Sequence, residues 1–336
     1  MNDEKQIEVK GLSKTFRVPE RGEGLRESAR SLVKRRYKEV EAVRNVGFSI
    51  EEGETVGFIG PNGAGKTTTL KMLSGLLHPT AGTARVMGFT PWERRPAYLG
   101  RISMVMGNKS QMLWDIPPAD TFRVLRDIYG LTEGDYRRNL DELVGLLELG
   151  DLLKRPVMSL SLGERMKCEL VAGLLHRPRV LFLDEPTLGL DVSMQGRLRG
   201  FLKEYGRRSG VTIILTSHYM ADVTALCSRV ILIHKGGLLY DGPLGALAEK
   251  LAPYKLIRVA LSGGEAADAR GTTAPEFPPG VEVVDGEDGR LSLRVARAEA
   301  PAATARILAT LPVADLSVED PPIEAVIDRI YREAGV

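Results

Sequence analysis

Residues Gly60-Pro61-Asn62-Gly63-Ala64-Gly65-Lys66-Thr67 satisfy the spacing G-x-x-x-x-G-K-[ST] without a gap, and they lie between a strand and a helix, the context that gives the motif its meaning. The strand is Glu54-Thr55-Val56-Gly57-Phe58-Ile59, and Thr67-Thr68-Thr69-Leu70-Lys71-Met72-Leu73 reads as the first turns of the helix. Glycines let the backbone fold into a nest of N–H groups, the helix N-terminus adds partial positive charge, and Lys66 meets the outer phosphates. Thr67 offers its hydroxyl to Mg²⁺. The motif implies an α/β core whose loop Gly60, Pro61, Asn62, Gly63, Ala64, Gly65, Lys66, Thr67 and Thr68 cradles a nucleoside triphosphate.

At 336 residues the chain is long enough for two domains. A content of 43% hydrophobic and 27% charged residues excludes a disordered or fibrous chain. The net charge of +2 predicts no nucleic-acid partner. Its distribution is uneven: residues 17 to 38 hold eight Lys/Arg against three Glu, whereas residues 255 to 336 hold nine against fourteen Asp/Glu. The two cysteines, Cys168 and Cys227, sit on apolar periodic segments without metal-ligand spacing, which predicts buried free thiols in a reducing cytosol. The polar start Met-Asn-Asp-Glu-Lys-Gln predicts no targeting segment. No apolar run approaches the roughly 18 to 20 residues needed to span a bilayer, so another chain would have to do the crossing.

Alternation predicts strands at Ile7-Glu8-Val9-Lys10 and Val46-Gly47-Phe48-Ser49-Ile50. Between them a basic insertion, about 17–40, carries Leu25, Ser28, Ala29, Leu32 and Val33 at helical spacing. That helix would be either a solvated charged face or a contact with an anionic membrane surface or partner subunit. Further strands are expected at Gly82 to Val86, Ile102 to Met106, Val180 to Leu183, Val211 to Leu215 and Val230 to Ile233. From Pro118 to about Arg177 the pattern turns helical, with Phe122, Leu125, Ile128 and Tyr129 on one face and Leu140, Leu143, Val144 and Leu147 on another. Beyond Leu251-Ala252-Pro253 the order strand, strand, strand, helix, strand, helix suggests a small α+β domain of ferredoxin-like type, with a loop at 262 to 280.

Val180-Leu181-Phe182-Leu183-Asp184-Glu185 is a buried strand ending in two carboxylates, a pair with a use where a metal ion and an attacking water must both be held. Alternation along a strand would turn Asp184 toward Mg²⁺ and Glu185 toward the water. Leu160-Ser161-Leu162-Gly163-Glu164-Arg165 opens a helix expected over Glu164 to His176.

On these segments residues 5 to 245 resemble the nucleotide-binding subunit of an ATP-binding cassette (ABC) transporter. Leu160 to Arg165 stand where that family has its L-S-G-G-Q signature, departing from it at Leu162 and Glu164. The resemblance implies a RecA-like P-loop NTPase core with an antiparallel β subdomain and a helical subdomain at about 108–177, together forming a domain 1–250. An accessory α+β domain 251–336, serving dimerisation or regulation, follows. It implies that ATP and Mg²⁺ are held between two subunits of a homodimer, with Ser161 and Gly163 closing over the triphosphate of the facing copy. It assigns catalysis to Glu185, Lys66 and the switch histidine His218, cross-dimer communication to Asp191, and metal binding to Thr67, Asp184 and Asn108. Gln111 is the alternative to Asn108, since the family places a glutamine after that strand. Phe16 would stack on adenine, with Tyr37 as its rival.

Lys109-Ser110-Gln111-Met112-Leu113-Trp114-Asp115-Ile116-Pro117, the basic insertion and Glu319-Asp320-Pro321-Pro322-Ile323-Glu324 resemble the type-two bacterial exporter branch. That implies a peripheral ATPase on the cytoplasmic face of the inner membrane, with integral-membrane permeases docking on the region between Lys109 and Thr121. A non-transport ABC ATPase of translation or DNA repair is the alternative, but such proteins carry tandem cassettes or a long coiled coil, and neither pattern is present. A kinase would share the phosphate loop without any use for Leu160 to Gly163 or His218.

Overall fold

The computed structural model describes residues 5–19, 37–217, 219–251, 254–262, 280–287 and 290–333. The chain divides into two compact units, Met1–Gly242 and Pro243–Val336. His218, the amphipathic segment from Leu25 to Val33 and most of the 262–280 loop lie outside the described residues.

The first unit holds two sheets. One is antiparallel, in the order β2 (Tyr37–Ile50), β1 (Ile7–Pro19), β4 (Ala81–Val86). The other runs β5 (Ile102–Met106), β6 (Val180–Asp184), β7 (Thr212–Thr216), β3 (Thr55–Ile59), β8 (Arg229–His234), β9 (Gly237–Pro243). Its first five strands are parallel. They are almost uninterrupted apolar runs because both of their faces are covered. Lys235 and Gly236, at φ 45° and 80°, make the two-residue turn between β8 and β9.

The core fills the space between the sheets. Ile7, Val9, Phe48 and Ile50 from the antiparallel sheet pack with Phe58, Phe182, Ile214 and Ile231 from the parallel one, and Leu70, Met72 and Leu73 of α1 (Lys66–Leu73) join them. The helix that follows the phosphate loop is therefore locked into this core. Cys168 and Cys227 are buried free thiols, and burial pushes both up to about 12.

After the short α2 (Pro96–Leu99) and β5, the helical stretch resolves into α3 (Pro118–Ile128), α4 (Glu133–Leu147) and α5 (Leu162–Leu174), with 3₁₀ turns at Gly150–Lys154 and Val157–Ser159. Leu143 and Leu147 are buried as their spacing predicts, and so is Phe122. Ile128 is not: at the last turn of α3 it is 69% exposed. Tyr129 instead stacks flat on the buried His176, ring centroids 3.8 Å apart. The helices α6 (Val192–Ser209) and α7 (Met220–Leu226) flank β7 in sequence.

The second unit contains α8 (Leu244–Leu251), β10 (Tyr254–Leu261), β11 (Val281–Glu287), β12 (Arg290–Ala296), α9 (Ala300–Thr310), β13 (Val313–Glu319) and α10 (Ile323–Glu333). Its sheet is antiparallel throughout in the order β11-β12-β10-β13, which sets the first strand between the third and fourth as in a ferredoxin-like sheet. Ile257, Val259, Leu293 and Val295 face α9 and bury Ala300, Ala303 and Ile307. Among the described residues, no helix is long and apolar enough to cross a membrane.

Candidate functional site

Parallel strands bring their carboxyl ends to one edge of the sheet, where ligands of open α/β folds bind. Met106, Asp184 and Thr216 are in register across β5, β6 and β7, and Gly60 leaves β3 at the same edge. Residues distant in sequence therefore meet there.

Thr67 Oγ1 donates to Asp184 Oδ1 at 3.0 Å, and Thr216 Oγ1 donates to the same oxygen at 2.8 Å. Asp184 is buried, so the two hydroxyls supply the hydrogen bonds a desolvated carboxylate requires. Thr216 was not singled out in the sequence. The available signal was a polar residue ending an otherwise apolar parallel strand.

Lys66, the first residue of α1, is buried and donates from Nζ to the carbonyls of Gly60 (2.6 Å) and Pro61 (3.1 Å). Burial lowers its pKa below the ordinary lysine value, and the neighbouring Glu185 and Asp184 charges pull it back up. The ammonium is thus held on the loop, close enough to both carboxylates to feel their charge. Gly65, at φ 105°, caps this helix, and a Cβ there would stand 2.4 Å from the Ala42 carbonyl oxygen. The phosphate loop therefore passes close against β2 at a point where only glycine fits.

The expected alternation of Asp184 and Glu185 along one strand is replaced by a turn. The strand ends at Asp184, and Glu185 has φ 54°, with its N–H donating to both the carbonyl and the hydroxyl oxygen of Thr216 at 3.1 Å. A left-handed residue at a strand end is a local strain of the kind that clusters at functional sites. Here the backbone turn, and not the strand pleat, separates the two carboxylates.

The segment after β5 reaches the same place. Gly107 N donates to the Asp184 carbonyl at 2.9 Å, and a Cβ on Gly107 would lie 2.1 Å from the Glu185 carbonyl oxygen. Asn108 follows directly and is exposed. Gln111 is directed elsewhere: its Nε2 donates to the Met104 carbonyl at 3.2 Å.

Ser161 is the N-cap of α5, accepting from Glu164 N at 3.3 Å while Glu164 Oε2 accepts from Ser161 N at 2.8 Å. This capping box gives Glu164 a local use and starts the helix at Leu162, two residues before the expected start. The Ser161 backbone N–H holds the Glu164 carboxyl below its ordinary pKa. Leu162 packs near Gly189, and Met194 lies beside Gly163. Among the described residues, neither Ser161 nor Gly163 hydrogen-bonds to residues 60–68.

Asp191 caps α6 by accepting from Met194 N at 2.9 Å. A second buried cluster underlies this region: Asp222 accepts from Thr187 Oγ1 (2.5 Å), Ser217 Oγ (2.7 Å) and Arg199 Nη1 (2.8 Å). It fastens the turn after Glu185, the end of β7 and α6 to one carboxylate. Phe16 lies on β1 opposite Val40, two residues along β2 from Ala42, with the Lys14 ammonium 5.2 Å from its ring centre. Tyr37, at the start of β2, is exposed.

Among the described residues, no group of three or more His, Cys, Asp and Glu could hold a metal ion. A hydroxyl and a carboxylate meeting at a phosphate loop are instead the sparse oxygen donors that suit Mg²⁺, which completes its sphere with substrate phosphates and waters. Thr67 and Asp184 fit that ion.

The model of the ABC transporter family matches residues 43–188, and that of the EvrA-like ABC transporter C-terminal domain matches residues 253–319. The ABC transporter ATP-binding protein NatA of Bacillus subtilis is 35% identical over 212 residues, covering 63% of this chain and 86% of that protein. The doxorubicin resistance ATP-binding protein DrrA of Mycobacterium tuberculosis is 30% identical over 249 residues, 74% of this chain and 69% of that one. A solved ATP-binding subunit of an ABC transporter superposes with a TM-score of 0.60 at 26% identity, over 73% of this chain and 92% of its own.

Proposed function

This chain belongs to the ATP-binding proteins of ABC transporters, and on that premise we propose that it hydrolyses Mg·ATP between two copies of itself and drives transport, in the export direction, through separate permeases. As a member of this family it is an ATPase whose activity is coupled to transport. The observation that carries the Mg·ATP site within this reading is the hydrogen bond between Thr67 and Asp184, 117 residues apart, at the end of the phosphate loop.

In this reading Gly60 to Thr68 hold the phosphates by backbone N–H groups, and Lys66 neutralises charge on the outer phosphate oxygens. Thr67 and Asp184 hold Mg²⁺, with Asn108 adjacent. The ion, when bound, neutralises charge developing on the phosphate oxygens. Glu185 orients the attacking water and accepts its proton at a carboxylate oxygen. His218 contacts the γ-phosphate. Phe16 stacks on adenine, its place beside the β2 segment that touches Gly65 favouring it over the exposed Tyr37.

Ser161 caps α5 with its hydroxyl, and in this reading Ser161 and Gly163 at that helix start close over the nucleotide of the facing copy. Asp191 lies beside them in the cross-dimer contact. The half-exposed Leu113 and Trp114, next to the exposed Met158, form the surface for a permease at the cytoplasmic membrane face. Residues 1–250 would carry catalysis, and residues 251–336 would serve dimerisation or regulation.

Glu185→Gln tests the scheme. The variant should bind ATP, lose turnover and accumulate as a nucleotide-bound dimer, measured by phosphate release and by mass in solution. Normal steady-state turnover would refute the assignment of Glu185. Copurification with a multi-spanning membrane protein checks the transport partner.

A further inference from the structure

We infer that Glu169 is a positioning residue that fastens the loop after β5 to the helix beginning at Ser161, so that loop and helix move as a single piece during turnover. Glu169 lies on α5 about two turns beyond Ser161 and is only 3% exposed. Its carboxylate accepts from the hydroxyl of Ser110, from Gln111 N at 3.1 and 2.9 Å, and from Met112 N at 3.4 Å. Among the described residues no Lys or Arg forms an ion pair with it. Consecutive loop donors therefore carry the stabilisation of the buried charge.

A buried carboxylate is a costly way to pack a helix against a loop, and an apolar side chain would fill the same space more cheaply. What the carboxylate adds is direction, since it fixes the backbone of residues 110–112 at one height along α5. Four residues earlier on the same helix, the Arg165 guanidinium lies over the Trp114 ring, 5.0 Å from its centre. The helix thus grips the loop at two successive places. The other end of the loop is fixed to the sheet, where Gly107 N donates to the Asp184 carbonyl.

A continuous chain of contacts therefore runs from the carboxylate strand end through residues 107–114 to α5, with a single hydrogen bond at the sheet end and several at the helix. Displacement of the Leu113–Trp114 surface is passed to Ser161 and Gly163 because the loop cannot slide along the helix. The consequence for turnover rests on the functions proposed above for Asn108, Ser161 and Gly163; the fastening itself does not.

The test uses the full chain with Glu169→Ala and Glu169→Gln. Hydrogen exchange of peptides covering residues 109–114 reads the fastening, while ATP affinity, kcat and KM read its consequence. Glu169→Ala should raise exchange at Gln111 and Met112 about tenfold and lower kcat about tenfold, as expected for losing charge-assisted hydrogen bonds. ATP affinity should stay within about twofold, since the phosphate loop is untouched, a split between kcat and binding that general destabilisation would not give. Glu169→Gln keeps the shape and one acceptor oxygen, so both effects should be intermediate. If Glu169→Ala does not fold, Glu169→Gln carries the same two criteria. Unchanged exchange overturns the inference, and so does faster exchange with kcat within about twofold of wild type. Absence of turnover in the wild-type chain would instead overturn the proposed function, and exchange would then decide the fastening alone.

Discussion

Gly65 occupies a backbone conformation, φ 105°, that a side chain rarely adopts, and it does so where its Cα faces the Ala42 carbonyl at close range. Both constraints act at once on Gly65→Ala. Strain of this kind costs on the order of 1–3 kcal/mol, and the added contact must displace either the loop or β2. The variant should keep its secondary structure by circular dichroism and lose about tenfold or more in ATP affinity, the effect of roughly 1.4 kcal/mol on the loop. Affinity close to wild type would show that the approach to Ala42 does not set the loop. The phosphate-loop residues and Asp184 were legible in the sequence because each motif is contiguous and bounded by recognisable elements. Thr216 and Asp222 were not, because their meaning lies in bonds to Asp184 and to Thr187, Ser217 and Arg199, which no spacing along the chain reveals.

At the level of elements, Asp222 is where several of them converge. A fully buried carboxylate pairing with Arg199 and two hydroxyls holds α6, the end of β7 and the turn after Glu185 in one arrangement. Removing it with Asp222→Ala strands a guanidinium and two hydroxyls. Loss of one partner of a buried pair costs about 3–5 kcal/mol, and denaturant unfolding should register it as a lower midpoint with an unchanged slope. A loss below about 1 kcal/mol would place the pair among ordinary surface bridges. Helix periodicity located α3, α4 and α5, and the start of α3 at Pro118, but not their other ends. The capping box starts α5 at Leu162, and Ile128, expected on the apolar face of α3, is exposed. Periodicity records which residues share a face, and only neighbours decide how much of it is buried.

For the whole molecule, pH acts through buried histidine. His176 stacks on Tyr129 and its Nε2 lies 2.9 Å from the Ile102 carbonyl; burial lowers its pKa from 6.5, and that contact opposes the shift less strongly. His234 is also lowered, by burial first and then by Lys235 and Arg44. In the unfolded chain both bind a proton near pH 6.5, and in the folded chain only at lower pH. Stability is therefore full above about pH 6.5 and is lost as pH falls below it. Urea midpoints should be level between about pH 7 and 8 and decline from about pH 6.5 downward. Replacing His176 with Phe should flatten part of that decline, and an identical decline would remove His176 from the account.

The sequence by itself determined the phosphate loop motif, the carboxylate pair, most strands of the parallel sheet and the presence of a small α+β part after it, because local spacing and hydrophobic period encode these directly; it did not reveal β9 or the helices α6, α7 and α8. Tertiary structure alone decided that Asp184 is shared by Thr67 and Thr216, that a left-handed turn rather than strand alternation separates Asp184 from Glu185, and that Glu169 holds the loop after β5. Each of these depends on strands of distant sequence lying in register or on a helix packing beside a loop, and such geometry comes from the packing of the core as a whole.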